Sequence, residues 1–428
     1  MISLDHLSKI GVLDINHGAL AIAGKLAEAG FDAFAVDVYG TKKLPESDVP
    51  VYAIDDAIDY DALIAPVHLP KNRLTSEAER LGRPVYSHHD AVGYLVGRAG
   101  LPAGTKAIEV TGTVGKTTAC FALAKILAAA GEKVMLHTSS GLYYEGKIIE
   151  KGLSIAPASA LAALDRSRKL GATAGIFEVS LGVCGFGQAI ALTSLERDYP
   201  IAGGARMASL AKLESIARAG GENKLVCPAG TATGSRAPVC TFGPGGTIAY
   251  DAAGNIRYGA DRAMTLTLDL RPALDLDAYR KPILCAAAIA QVLGIRPEHT
   301  AQALADFDGV EGRMKLGSLQ GRILVDNSNS GLAYEDVAAA VSMAGGRGGR
   351  RVLLLGEESY NVCSGLDPEG SLDIIAHGGL DDVVLVGRRM RKFAGQYRWA
   401  KNLAEGMEAA LALTAPGDTI VSCVKAWR

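Results

Sequence analysis

The seven cysteines stand far apart and form no CxxC pair. Such scattered thiols suit a reduced, small-apolar role better than a zinc knuckle or a disulfide frame. No stretch of about 18 uncharged apolar residues occurs. Asp5, His6, Lys9 and Asp14 interrupt the first eighteen positions, where a secretory signal would keep an unbroken apolar core. A cytoplasmic protein with no membrane partner is expected. A basic arm is also missing: 44 Lys and Arg stand against 46 Asp and Glu, for a net charge of −2. Nucleic acid is therefore not an expected partner. No GxGxxG fingerprint appears, which argues against a dinucleotide-dependent oxidoreductase. There is no internal repeat and no low-complexity tail, and 428 residues exceed what one core organises, so roughly three domains are expected.

The most informative segment present is Lys106-Ala107-Ile108-Glu109-Val110-Thr111-Gly112-Thr113-Val114-Gly115-Lys116-Thr117-Thr118. An apolar strand runs into a glycine turn, a lysine and two hydroxyls, and a helical run from Ala119 to Ala130 follows. That order of parts suits a nucleoside triphosphate. Backbone N–H groups and a helix N-terminus face the phosphates, Lys116 adds a full charge, and Thr117 offers an oxygen to Mg²⁺. The spacing is more compact than GxxxxGK(S/T), because Val110 stands where the first glycine would be. The bland alternative is a glycine turn joining strand to helix, with Lys116 merely solvated.

Short apolar runs alternate with amphipathic ones through the first hundred residues: strands at Lys9 to Ile15, Asp32 to Val38, Ala62 to Ala65 and Pro84 to Tyr86, and a helix at Ala19 to Ala29. This βαβ alternation predicts an α/β fold with parallel sheets. Leu101 to Thr105 reads as a linker. Further on come a strand at Lys133 to His137, a helix at Pro157 to Leu170 and a strand at Ala174 to Val179. Glycine-rich and proline-rich turns with short strands fill Cys227 to Gly259, and helix returns at Pro282 to Leu293. From Leu319 a new alternation begins: Arg322 to Val325, Tyr334 to Met343, Arg351 to Leu355, Leu372 to Ala376, Val383 to Val386 and Glu405 to Leu413. The expected division is 1–104, 105–307 and 308–428, with Ala344 to Arg350 a solvated connection.

A second acidic element defines the chemistry further. Glu178 closes an apolar strand, followed by Ser180 and Gly182, and a carboxylate so placed needs a partner. Mg²⁺ bridging β- and γ-phosphates is one such partner; a simple strand-end role is the other reading.

The TGTxGKT loop at Thr111 to Thr117, Glu178-Val179-Ser180, Lys212 within Ala208 to Leu213, Arg313 within Gly309 to Met314, and Asp326 within Val325 to Ser330 follow one another in the order found in the Mur ligase superfamily. The chain resembles that superfamily along essentially its whole length. The resemblance implies a Rossmann-like N-terminal domain, a central P-loop ATPase domain and a Rossmann-like C-terminal domain that closes over ATP. It implies ATP contacts from Gly112, Thr113, Val114, Gly115, Lys116, Thr117 and Thr118, joined by Arg313 and Asp326. It also implies Mg²⁺ held by Thr117 and Glu178, and a carbamylated Lys212 serving a second Mg²⁺ and the γ-phosphate. A depressed lysine pKa would expose the amine to CO₂. On the residues alone, Lys212 also reads as a solvated helix residue, and Arg313 and Asp326 as ordinary surface ion pairs.

Val114 replaces the loop asparagine usual in that superfamily, Asp198-Tyr199 stands for an Asp-His pair, Ser328 stands where a lysine commonly follows the aspartate, and Lys281-Pro282-Ile283-Leu284-Cys285 replaces an Asn-rich helix start. These departures argue against a peptidoglycan amino-acid ligase. Leu13-Asp14-Ile15-Asn16-His17-Gly18, the GTVGKTT loop and Asp326 to Gly331 together look like the coenzyme F430 synthetase branch. That likeness implies a nickel tetrapyrrole as substrate, one propionate of which is activated by ATP as an acyl phosphate and closed onto a ring carbon. Asn16, His17 and Gly18 are then the expected substrate contacts. His17 would serve as a donor to a tetrapyrrole carboxylate, a base or an axial metal contact; otherwise it only shapes the turn. His88 and His89 begin a helix, where they could cap it, and carry no assigned role. Two rivals share the ATP residues: an amide-forming ligase, and a P-loop NTPase switch in which Lys212 and Arg313 have no acyl role.

Overall fold

Three main sheets, of five, eleven and six strands, carry the chain. The computed structural model describes residues 2–41, 46–258, 264–266, 276–358, 366, 368–395 and 397–426. The chain falls into two compact units, Met1–Leu268 with Lys281–Leu304, and Asp269–Arg280 with Ala305–Arg428. Among the described residues no helix is long and apolar enough to cross a membrane.

The first sheet holds β1 (Lys9–Leu13), β2 (Asp32–Asp37), β3 (Val51–Ala53), β4 (Ala62–Ala65) and β5 (Val85–Ser87). All pairings are parallel, in the order β3-β2-β1-β4-β5. Helix α1 (Ala19–Glu28) connects β1 to β2 and α2 (Arg73–Leu81) connects β4 to β5, while α3 (His88–Ala99) follows β5 and leads out of the sheet. The expected strands thus form within a residue or two of their places, because buried parallel strands read as continuous apolar runs. Helix α3 is capped by Ser87 and Asp90, which form a capping box. His88 and His89 lie buried on the first turn, with Nε2 of each 3.0 and 2.8 Å from the carbonyls of Leu13 and Ser180. Burial pushes both imidazoles down, to about 3 and about 4.

The second sheet of the same unit is built on β6 (Lys106–Thr111), which lies between the parallel strands β10 (Ala174–Glu178) and β11 (Ala189–Leu192). It extends through β7 (Val134–Thr138), β8 (Gly141–Tyr144) and β9 (Lys147–Glu150) on one side. On the other run β14 (Lys224–Pro228), β15 (Val239–Phe242), β16 (Ile248–Tyr250), β17 (Ile256–Tyr258) and β18 (Met264–Leu266). Between them, β12 (Pro200–Ile201) and β13 (Arg206–Met207) form a small antiparallel pair. Helices α4 (Lys116–Ala129), α5 (Pro157–Leu170) and α6 (Ala208–Arg218) pack here, followed by α7 (Leu276–Val292) and α8 (Pro297–Ala305). One apolar core joins the first two sheets, with Ile22, Val92, Leu161 and Phe177 among its members. Helix α7 begins before the expected start, with Pro282 inside it; the proline ring lies against the glycine loop that precedes α4, where a Cβ on Gly115 would come within 3.1 Å of it.

The second unit carries a six-stranded sheet ordered β19-β20-β24-β21-β22-β23. Its strands are β19 (Lys315–Leu319), β20 (Arg322–Asp326), β21 (Arg351–Glu357), β22 (Asp382–Val386), β23 (Arg398–Ala400) and β24 (Thr419–Lys425). The hairpin β19-β20 is antiparallel and the remaining pairings are parallel. The connection at 345–350 leads, as expected, from a helix at Tyr334–Ala344 into β21. All six described cysteines are buried; Cys363 lies outside the described residues.

Candidate active site

Strand β6 delivers the chain into the phosphate loop at the middle of its sheet. Gly112 has φ 144° and a Cβ there would meet Thr193 Oγ1 at 2.1 Å, so only glycine lets the loop lie flat against β11. Thr193 Oγ1 donates to the carbonyl of Val114 at 2.6 Å, and Thr113 N donates to Ser194 O at 2.9 Å. These bonds hold the loop in shape from outside. Gly115, in the left-handed region at φ 85°, starts α4 without a side-chain cap, which leaves the helix N-terminus suited to an anion. Lys116 is half-buried and its Nζ donates to Gly112 O at 3.0 Å.

The metal-type oxygens converge beside it. Thr117 Oγ1 lies 3.1 and 3.0 Å from the two carboxylate oxygens of Glu178, which is almost fully buried. Ser139, at the end of β7, adds a hydroxyl 3.2 Å from Thr117 Oγ1, and its N–H donates to Glu178 at 3.1 Å. Register puts them there: β10 pairs in parallel with β6, and Glu178 stands opposite Val110 just before the loop begins. An all-oxygen set of hydroxyls and one carboxylate has the chemistry that Mg²⁺ prefers. Ser139 carried no spacing signal, since it enters only through strand order.

Lys212 on α6 is fully buried, so it is not a solvated helix residue. Its Nζ lies 5.3 Å from the centre of the Tyr199 ring, and its hydrogen bond to Ala208 O is long, at 3.4 Å. Burial, helped by the charge of Lys116 and opposed by Asp198, pulls its pKa down to about 7. Asp198 is pushed up by burial, but hydrogen bonds from Ser209 and from the Tyr199 N–H, together with Lys212, hold it below the usual carboxylate range. A lysine that sheds its proton near neutrality is a nucleophile for CO₂.

The loop after β1 forms a third locus in the same unit. Asp14 is buried at φ 79°; its side chain accepts from Asn16 N at 3.1 Å and contacts His17 Nδ1 at 2.7 Å. The hydrogen bond to Asp14 raises the His17 pKa, against the effect of burial. Asn16 and His17 are exposed. Gly18, at φ 104°, lies so close to α5 that a Cβ would meet Ala158 Cβ at 2.3 Å. Packing against the neighbouring sheet's helix thus explains this glycine.

Arg313 and Asp326 belong to the second unit. Asp326 is buried and accepts from Gly312 N at 2.9 Å and Ser328 N at 3.3 Å, while Asn327 Oδ1 accepts from Met314 N at 3.2 Å. Asn329 Nδ2 donates to Gly312 O at 2.8 Å. Asp326 is therefore a buried group and not a surface one: it staples the turn that carries the half-buried Arg313.

Residues 316–426 match the family described as Coenzyme F430 synthetase CfbE, C-terminal domain. The coenzyme F(430) synthetase of Methanosarcina acetivorans is 34% identical over 473 aligned positions, covering 98% of this chain and 99% of that protein. Its counterpart in Methanocaldococcus jannaschii is 27% identical over 49% of this chain and 50% of its own length. Among solved structures, E. coli FolC in complex with DHPP and ADP superposes with a TM-score of 0.61 at 16% identity, covering 79% of this chain and 90% of that one. UDP-N-acetylmuramate-alanine ligase MurC of Thermotoga maritima gives 0.53 at 16% identity, covering 98% and 95%. The superpositions speak for the Mur ligase fold; with the long, one-third-identical alignment beside them, the chain belongs to the coenzyme F430 synthetase family of ATP-dependent, Mur ligase-like enzymes.

Proposed function

We propose that this chain activates a propionate of a nickel tetrapyrrole with ATP and Mg²⁺ and closes a carbocyclic ring, releasing ADP and phosphate as coenzyme F430 forms. The observation that carries this reading is the convergence of Lys116, Thr117 and Glu178 at the phosphate loop, in a chain aligned end to end with a coenzyme F(430) synthetase. The division into 1–104, 105–307 and 308–428 goes with it.

A carboxylate is a poor electrophile and needs a leaving group. Its oxygen attacks the γ-phosphorus, the bond to ADP breaks, and an acyl phosphate results. A ring carbon that has lost its proton then attacks the acyl carbon and phosphate departs, so the tetrapyrrole loses one water overall. The loop N–H groups from Gly112 to Thr118 and the Lys116 ammonium hold the phosphates in line. Thr117 and Glu178 would hold Mg²⁺, which when bound neutralises charge on the phosphates. Lys212, once carbamylated, turns a buried cation into an anion beside that site. Arg313 is the proposed nucleotide contact of the C-terminal domain on the turn that Asp326 holds. Asn16, His17 and Gly18 form the proposed substrate loop.

Incubation of the protein with ATP, Mg²⁺ and the seco-acid nickel tetrapyrrole tests this directly. Stoichiometric ADP and a product lighter by one water are expected, and Lys116→Ala and Glu178→Ala should each abolish turnover with the fold intact. ATP consumption that ignores the tetrapyrrole, or that requires an added amino acid, would overturn the proposal.

A further inference from the structure

The strand order β3-β2-β1-β4-β5 reverses between β1 and β4, since β1 leads across to β2 on one side and β4 to β5 on the other. Loops leaving the carboxyl ends of two such strands diverge and open a crevice, the usual ligand position in an open α/β sheet. Asp14 and His17 leave β1 there, and His68 lies just beyond Ala65 at the end of β4.

These three side chains form a compact donor set. Asp14 Oδ2 is 2.7 Å from His17 Nδ1 and 3.7 Å from His68 Nε2, and all three ligand atoms fall within 4.8 Å of one another. The imidazoles meet edge to face with centroids 4.6 Å apart. Among the described residues the buried His68 Nε2 has no hydrogen-bond partner, and 3.7 Å is too long for one to Asp14. A buried ring nitrogen left over in this way calls for a ligand. Asp14 itself is held in the left-handed region at φ 79°, uncommon for a non-glycine residue.

We propose that Asp14, His17 and His68 bind a borderline divalent transition ion, of the class of zinc, cobalt or nickel, at the switch point of the first sheet. Donors coordinating at roughly 2.1 Å in a tetrahedron stand about 3.4 Å apart, and the observed separations bracket that spacing. Two imidazoles and a carboxylate suit such ions, whereas Mg²⁺ and Ca²⁺ take oxygen alone. Three protein donors leave a coordination position for water or for an anionic oxygen of a ligand in the crevice. The site is separate from the Thr117–Glu178 oxygens and shares His17 with the proposed substrate loop.

The test is a titration of the full, chelator-stripped protein with Co²⁺ alone, without nucleotide or tetrapyrrole, followed by equilibrium dialysis and visible absorption. One equivalent should bind and develop ligand-field bands, and Zn²⁺ should bleach them. His17→Ala and His68→Ala, both at partly exposed positions, should each weaken binding by at least the roughly tenfold to hundredfold seen when a ligand loses its outer hydrogen-bond partner. His6→Ala, outside the cluster, should change nothing. Equal Co²⁺ affinity in wild type, His17→Ala and His68→Ala, or no binding at all, would each overturn the site. Ring closure by the unsubstituted protein tests the proposed function separately.

Discussion

Thr117 Oγ1 sits 3.0–3.1 Å from both carboxylate oxygens of Glu178, so the hydroxyl that opens helix α4 and the carboxylate that ends β10 meet across two adjacent parallel strands. Sixty-one positions separate them in the chain.

Removing that hydroxyl tests the pairing. Thr117→Val should lower the rate of ADP formation by roughly 10²–10³-fold, the scale of losing one preorganised polar contact to developing charge. Thr117→Ser should keep most of it. Equal rates in Thr117→Val and wild type at saturating Mg²⁺ would remove Thr117 from the metal site.

Lys212 makes a pH-dependent prediction about stability. In the unfolded chain a lysine holds its proton to about pH 10.4, whereas the folded chain releases it from about 7. Across that interval the unfolded state binds more protons, so stability rises with pH, and below it the buried ammonium burdens the fold. In CO₂-free buffer Lys212→Met should therefore be more stable than wild type at acid to neutral pH, with the difference shrinking as pH climbs. Denaturant titrations at several pH values measure it; a gap that widens with pH would contradict the depressed pKa.

Gly18 is predicted to be a packing residue as well as a loop residue. Gly18→Ala should cost about 2–4 kcal/mol, because the methyl group strikes Ala158 and the positive φ disfavours any Cβ. Adding Ala158→Gly should recover the steric part. A thermal melt in which Gly18→Ala matches wild type would refute the close approach.

Glu109 should prove structural. Its carboxylate is fully buried in β6 and accepts from the N–H groups of Cys184, Gly185 and Gly187, so it pins the 184–187 loop to the strand. Burial pushes its pKa up while those donors pull it down. Glu109→Gln should destabilise by about 2–4 kcal/mol, since an amide NH₂ would face backbone donors. Specific activity of the folded fraction should survive; loss of activity without loss of stability would argue for a catalytic role instead.

Much of this was legible along the chain. Strands β1, β2, β4, β6, β7 and β10 read as apolar runs because nearly all their residues are buried, and the proposed phosphate loop was readable because strand, glycines, lysine and hydroxyl must be contiguous to cradle phosphate. Strand β24 was passed over, although it lies inside the last sheet with every residue buried. Pro282 looked like a helix start and instead sits within α7. Asp326, expected as a ribose-binding or hinge-side aspartate, accepts from the Gly312 N–H within its own unit.

By itself the sequence determined where backbone chemistry is local: the glycine bend, the helix that Lys116 opens, the parallel α/β alternation and the carboxylate closing β10. Only the tertiary structure decided which distant side chains meet. Strand order brings Ser139 to Thr117 and His68 to Asp14, and the packing of α6 buries Lys212 far enough to loosen its proton. Contacts of that kind depend on sheet order and burial, which are properties of the packed chain and leave no fixed spacing in the sequence.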